Sequence, residues 1–249
     1  RDSPVPLCDK LEAVVGKGAE GTCSLAISGN KIEGELSDNL IVKAYRMLSA
    51  DHILPHINFN LEKHIPSQAG LGGGSSDATY TLRLLNKLCQ LNLNSATLHQ
   101  YAVRLGADCA FFVTATPAFA TGIGDILEPM NAECAHLHGM YLLIVKPTVA
   151  ISTAQAFAFV KPESTLIKCK DIVAQPVNSE WRNHLTNNFE VSAFKLHPEM
   201  HTIKEQLYNM GALYAQMSGS GSAFFGIFNT PPTLTANHFN GMFTYLCQL

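Results

Sequence analysis

I-P-S-Q-A-G-L-G-G-G-S-S-D-A, residues 65–78, is the stretch on which the fold turns. Before it, Ile57, Phe59 and Leu61 alternate with Asn58, Asn60 and Glu62, the period of two expected of a strand with one buried face. After it, Ala78, Leu82, Leu85, Leu88 and Cys89 recur at helical spacing, so Ser75, Ser76 and Asp77 fall where a helix begins. The order is strand, glycine loop, helix N-terminus. Gly70, Gly72, Gly73 and Gly74 lack a Cβ, so their backbone can adopt positive φ and approach a ligand closely. The unpaired N–H groups and dipole of the helix end then face an anion. These residues predict a phosphate cradle.

Two common phosphate loops do not fit. A Walker loop requires Lys and then Ser or Thr after its last glycine, and the Gly16-Lys17 pair is followed by Gly18. A dinucleotide fingerprint would place glycine at Ser75 and a continuously apolar parallel strand before the loop, whereas this strand alternates. The plainer alternative is a flexible loop of small residues; four glycines directly before a strong helix pattern argue against it.

A chain of 249 residues, 47% hydrophobic and 15% charged, suits one large or two modest globular domains. A net charge of −3 with scattered Lys and Arg gives nucleic acid no electrostatic footing. No apolar stretch approaches the length of a membrane span, and the expected setting is cytoplasmic. The seven cysteines contain no C-x-x-C pair and read as reduced, small hydrophobic residues. His136-x-His138 and His197-x-x-x-His201 have ligand-like spacing but no completing Cys or carboxylate set, so no metal site is expected.

Along the chain, strands are expected at 10–15 and 23–28, and Asp38-Asn39 caps a helix carrying Leu40, Ile41, Ala44, Tyr45 and Leu48. Ser95 is expected to cap a further helix that Gly106 ends. Residues 110–113, 118–121 and 141–145 read as strands. Residues 161–188 are polar and broken by Pro162 and Pro176, a helical excursion or crossover between two halves. A helix from Pro198 to Gly211, strands at 213–217 and 223–228, and a final helix pattern from Thr233 complete an α+β second lobe. The expected division is 1–145 and 146–249.

Ser218 to Ser222, S-G-S-G-S, is a second small-residue loop: a hairpin turn, or a second wall of a phosphate or substrate site. Asp108, in L-G-A-D-C-A-F-F-V, follows a helix stop and precedes an apolar run. An acid there is either a turn former or, near a cradled phosphate, the group that orients or deprotonates an attacking hydroxyl.

The ordered set formed by 64–78, L-G-A-D-C-A-F-F-V at 105–113, A-T-G-I-G-D-I-L-E-P at 120–129, P-T-V-A-I-S-T-A-Q-A-F at 147–157, N-N-F-E at 187–190 and M-S-G-S-G-S-A-F-F-G at 217–226 resembles the GHMP kinases. The resemblance runs from about Pro6 to the C-terminus. It implies a two-lobe fold with an N-terminal nucleotide lobe and a C-terminal ferredoxin-like lobe. It also implies an ATP-dependent small-molecule kinase, with Mg2+ carried by ATP. Within the family it is most similar to members that phosphorylate the 2-hydroxyl of a cytidine-diphosphate-linked methylerythritol, an isoprenoid precursor.

Carried over by motif, Pro66, Ser67, Gln68, Ala69, Gly70, Leu71, Gly72, Gly73, Gly74, Ser75 and Ser76 would wrap the ATP phosphates. Asn39 and Lys63 would lie near the nucleotide, and Asp108 would be the catalytic carboxylate. Thr153, Phe157, Ser218, Gly219, Ser220 and Gly221 would meet the substrate, with Phe157 stacking on cytosine. Asp77 is expected to act as a capping acid. The family usually opens with P-A-K-I-N-L, whose lysine assists the carboxylate, and then R-x-D-G-Y-H; neither block is present here. The intact remaining motifs favour an omitted leading segment over a degenerate relative. Rival readings are a homoserine or mevalonate type of GHMP kinase, or a non-catalytic nucleotide or metabolite sensor on the same fold.

Overall fold

The computed structural model describes residues 4–32, 34–160 and 169–249, apart from the side chains of Thr153 and Ala154. It divides into two units, Arg1–Ser67 with Gly72–Met130, and Gln68–Leu71 with Asn131–Leu249. The expected division near 145 is therefore displaced, because the strand at 141–146 is central to the second unit's sheet rather than the last element of the first.

In the first unit, β1 (Lys10–Val15), β2 (Cys23–Gly29), α1 (Leu40–Asp51), β3 (Ile57–Lys63), α2 (Gly73–Leu88) and α3 (Ser95–Leu105) are followed by a 3-10 helix (Ala107–Val113) and the hairpin β4 (Ala118–Thr121) and β5 (Ile126–Pro129). β3 is the middle strand of three, antiparallel to β1 and parallel to β2. Its alternation puts Ile57, Phe59 and Leu61 into a core shared with Ile41, Tyr45 and Leu48 of α1 and Leu82 and Leu85 of α2. Asn39 caps α1 by accepting from Ile41 N at 2.9 Å. Asn94, not Ser95, caps α3, accepting from Thr97 N at 2.9 Å.

The strand expected at 110–113 is instead part of the 3-10 helix. A short apolar run does not discriminate strand from buried helix. Here Thr79 Oγ1 of α2 donates to Cys109 O at 2.8 Å, and Cys109, Ala110 and Phe111 are buried.

In the second unit, β6 (Tyr141–Lys146) is followed by α4 (Thr153–Phe157), α5 (Cys169–Val173), α6 (Ser179–His184), α7 (Phe189–Leu196) and α8 (His201–Asn209), then β7 (Tyr214–Met217), β8 (Phe224–Phe228) and β9 (Phe243–Gln248). The sheet order is β7-β8-β6-β9, antiparallel throughout. In chain order this is second, third, first, fourth, the strand order of a ferredoxin-like lobe. The helix expected from Thr233 does not form. Pro231-Pro232 and Asn240-Gly241 interrupt it with turns, and the aromatic residues Phe243 and Tyr245 continue as β9 beside β6. Ile203 and Leu207 of α8 pack with Leu143 and Val145 of β6 and with Phe224 and Phe228 of β8. Among the described residues no helix is long and apolar enough to cross a membrane.

Candidate functional site

Gly72 is the N-cap of α2, with φ 68°, and Gly70 also has φ 68°. Side chains other than glycine avoid this left-handed region, so the two residues set the turn by which the chain leaves β3 and enters α2. Ser76 N donates to Gly72 O at 2.8 Å, the first bond of the helix. Among the described residues no side chain caps this end. The N–H groups of Gly73, Gly74 and Ser75 precede the first helical bond and point out of it along the helix dipole. A helix end of this kind can receive an anion through backbone alone.

Beneath it lies Lys63, expected near the nucleotide, in a buried cluster of charges. The inward parity of β3 runs on past Leu61 to Lys63, which is 4% exposed. Its ammonium donates to Asp9 and, at 2.9 Å, to Asp77 of α2. Asp9 Oδ1 also accepts from the backbone N–H of His64 at 2.6 Å and of Ile65 at 2.8 Å. The ammonium lies so close below the loop that a Cβ on Gly73 would come to 3.0 Å from Nζ. Burial pushes the Asp77 carboxyl up to about 6; Lys63 opposes the rise and the second carboxylate, Asp9, adds to it. Asp77 is thus a buried ion-pair partner in the second turn of α2, not a cap. Sequence reasoning missed Asp9 altogether. The one available signal was the period of two, which already put Lys63 on the core face.

Asp108 is exposed, in the first turn of the 3-10 helix. The β4–β5 turn passes beside it: Gly124, with φ 105°, lies where a Cβ would be 3.8 Å from Asp108 Oδ1. That contact gives the A-T-G-I-G-D motif its place. The adjoining Cys109 is tied to α2 through Thr79, and burial pushes its thiol pKa up while Ser75 and Thr79 hydrogen-bond to it. The backbone that carries Asp108 is thereby held one residue from the bond to α2, with its side chain exposed.

In the second unit, the two small-residue loops come together. Ser218 Oγ donates to Gly70 O at 2.8 Å, Ser222 N to Gln68 O at 3.3 Å, and Ala223 N to Ala69 O at 3.0 Å. The N-N-F-E motif supports them from below. Asn187 Nδ2 donates to Met217 O at 2.8 Å and Gly219 O at 2.7 Å. Glu190 accepts from Met217 N at 3.0 Å and pairs with Lys204 at 2.7 Å. These two residues, like Asp9, were not singled out from the sequence as site residues.

Phe157, at the end of α4, is 59% exposed and meets Phe189 edge to face, with ring centroids 4.8 Å apart. One ring holds the other and leaves it open to a stacking partner. Thr153 opens α4, and its side chain lies outside the described residues. Asn39 is engaged as a helix cap, and the next residue, Leu40, is 3.8 Å from where a Cβ on Gly74 would stand. Among the described residues no group of three His, Cys, Asp or Glu side chains is placed to hold a metal ion.

Comparison with known proteins bears on this arrangement. The family model described as "GHMP kinases N terminal domain" matches residues 39–116, and "GHMP kinases C terminal" matches 157–236. A relative from Bacteroides fragilis named 4-diphosphocytidyl-2-C-methyl-D-erythritol kinase is 44% identical over 246 residues, 99% of this chain and 88% of its own. A relative of the same name from Bacteroides thetaiotaomicron is 47% identical, over 93% of this chain and 83% of its own. A crystal structure titled 4-(cytidine 5'-diphospho)-2C-methyl-D-erythritol kinase superposes with a TM-score of 0.69 at 29% identity, covering 90% of this chain and 78% of that one. A homoserine kinase from Cytophaga hutchinsonii, at 15% identity and a TM-score of 0.64 over 97% of this chain and 86% of that one, shares the fold.

Proposed function

The chain belongs to the GHMP kinase family, and from that premise we propose that it transfers the γ-phosphoryl group of ATP to the 2-hydroxyl of 4-diphosphocytidyl-2-C-methyl-D-erythritol. The observation that carries the reading is the α2 N-terminus, uncapped by any described side chain, behind a glycine loop with Gly70 and Gly72 at positive φ, a geometry suited to phosphate. The names of the relatives supply the substrate. Mg2+ enters with ATP as part of the substrate, and the setting of this reaction is cytoplasmic.

In this reading, residues 66–76 hold the ATP phosphates, and Asp108 accepts the proton as the substrate hydroxyl oxygen bonds to the γ-phosphorus. The bond from that phosphorus to the β–γ bridging oxygen breaks and ADP leaves. The cradle needs no Walker lysine, because N–H groups and the helix dipole supply the positive end. Phe157 offers a ring face to cytosine, and the Ser218–Gly221 loop and Thr153 complete the substrate side.

The test is ADP release with three alcohols in parallel: the cytidylated methylerythritol, homoserine and mevalonate. Turnover confined to the first is the expected result. Equal or faster turnover of either of the others would move the chain to a different branch, and ATP binding without turnover of any would favour a sensor.

A further inference from the structure

Lys63 is the most completely buried lysine among the described residues, and the kinase reading by itself gives it no reason to be so. An ammonium meant for phosphate stays accessible, whereas this one is 4% exposed and its side chain is flanked by carboxylates that are 3% and 8% exposed. Burying one cation with two anions costs several kcal/mol of desolvation on the order expected for each ion, so the arrangement must serve a geometry.

The three charges join segments far apart in sequence. Asp9 precedes β1, Lys63 ends β3, and Asp77 lies in α2. Asp9 also receives the N–H groups of His64 and Ile65, where the chain enters the glycine loop. Asp77 stands four residues past Gly73, where the chain leaves it. One ammonium therefore ties loop entry to loop exit, directly under Gly73.

We propose that Lys63 is a positioning residue and not a nucleotide ligand: with Asp9 and Asp77 it clasps the two ends of the glycine loop, so that the loop's N–H groups are preset for a phosphate. The clasp rests on the kinase reading for its purpose, but its mechanical part stands apart from it. A loop closed at both ends spends less binding energy on ordering when the anion arrives.

The decisive variant is Asp9→Ala, which leaves a neutral Lys63–Asp77 pair and so does not strand a charge. Lys63→Met in an Asp9→Asn, Asp77→Asn background is the second, since Lys63→Met without both changes would leave a buried carboxylate with no cation. Two readouts are taken on the full chain. In the unliganded protein, amide hydrogen exchange at His64, Ile65 and the first turn of α2 should speed up by about tenfold or more in both variants, while α3 and the second unit's sheet exchange as before. By titration, ATP should bind about tenfold more weakly, the scale at which loss of a supporting shell shows in ligand affinity. In turnover, KM for ATP should rise with kcat held within about twofold, whereas general loosening of the fold lowers kcat at unchanged KM.

The alternative in which Lys63 is itself a phosphate cation predicts the opposite sign for Asp9→Ala: a counter-charge is removed, and ATP binds as tightly or more tightly. That result, or unchanged exchange at His64 and Ile65, overturns the clasp. Should the unmodified chain bind no ATP, the kinase reading falls, and the exchange experiment alone still decides whether the loop ends are clasped.

Discussion

Asp77→Asn should change how stability depends on pH, in a direction contrary to that of most acids. A surface carboxylate paired with a lysine usually titrates below its unfolded value, and the fold gains from its ionisation. Asp77 is held above it, moving from 3.8 to about 6, because burial outweighs the attraction of Lys63 and Asp9 adds a second negative charge. Between those values the folded chain binds a proton that the unfolded chain has released, so stability is fuller below about pH 4 and declines as pH rises through about 6. The gap of about two pH units, at about 1.4 kcal/mol each, comes to about 3 kcal/mol. Asparagine keeps the shape and an oxygen that can accept from Lys63, and it leaves a neutral Asp9–Lys63 pair. Urea unfolding of both proteins at intervals from pH 4 to pH 8 isolates the effect, since the other titrating groups cancel in the difference. The original protein should lose about 2.5 kcal/mol relative to the variant across that range, most of it before pH 7. A difference that stays flat, or that grows in favour of the original protein as pH rises, would show that Lys63 holds Asp77 ionised and that the balance of burial against attraction has been misjudged. The proton belongs to the triad as a coupled site, so the measured midpoint describes the pair of carboxylates and not Asp77 in isolation.

Asp108→Asn keeps size but removes proton acceptance, so kcat should fall by about 10² to 10⁴ with ATP affinity nearly unchanged; near-normal turnover would end the catalytic assignment. Gly73→Val brings a Cβ to within 3.0 Å of Ile65 Cγ2 and Lys63 Nζ. ATP binding should then weaken by about tenfold or more while the circular dichroism stays that of a folded chain, and unchanged affinity would make the loop merely structural. Phe157→Ala removes the open ring that Phe189 holds. KM for the cytidine substrate should rise about tenfold, the scale of one base-on-aromatic stack, with KM for ATP unmoved; an equal rise in both would place the ring elsewhere in the reaction.

How far the residues announce all this differs from place to place. The strand before the glycine loop is legible because alternation is a local signal, and so is α2, whose apolar spacing repeats over several turns. The same alternation, followed one step further, puts Lys63 on the core face, but a buried lysine is intelligible only with its partners. Asp9 is 54 positions away and reaches it through the pairing of β1 with β3. No local window contains that. The segment at 107–113 failed for another reason: it is too short and too uniformly apolar to have a period, and Thr79's bond to Cys109 O accompanies its tight helical form. Asn187 and Glu190 belong to a motif that could be matched but not explained, because they act on main-chain groups of Met217 and Gly219. Side chains that serve backbone elsewhere in the chain leave little trace of their target in their own neighbourhood.

The glycine loop itself shows why small residues need not mean freedom. From composition alone, G-L-G-G-G and S-G-S-G-S invite the idea of flexible tethers. In the structure the second loop is sewn to Gln68, Ala69 and Gly70 by three hydrogen bonds, two of them from its main chain. A Cβ on Gly70 would collide with the carbonyl oxygen of Ser218, quite apart from the cost of φ 68° to any other residue. Glycine is required at this position because two backbones approach more closely than a side chain permits. On the proposed kinase reading, the same smallness would let a phosphate approach the N–H groups at the start of α2. A loop already bonded along its length surrenders less entropy to an incoming anion than a slack one of the same composition. Glycine would favour binding in that sense: it permits the close packing of residues 68–70, and a packed loop has less freedom left to lose.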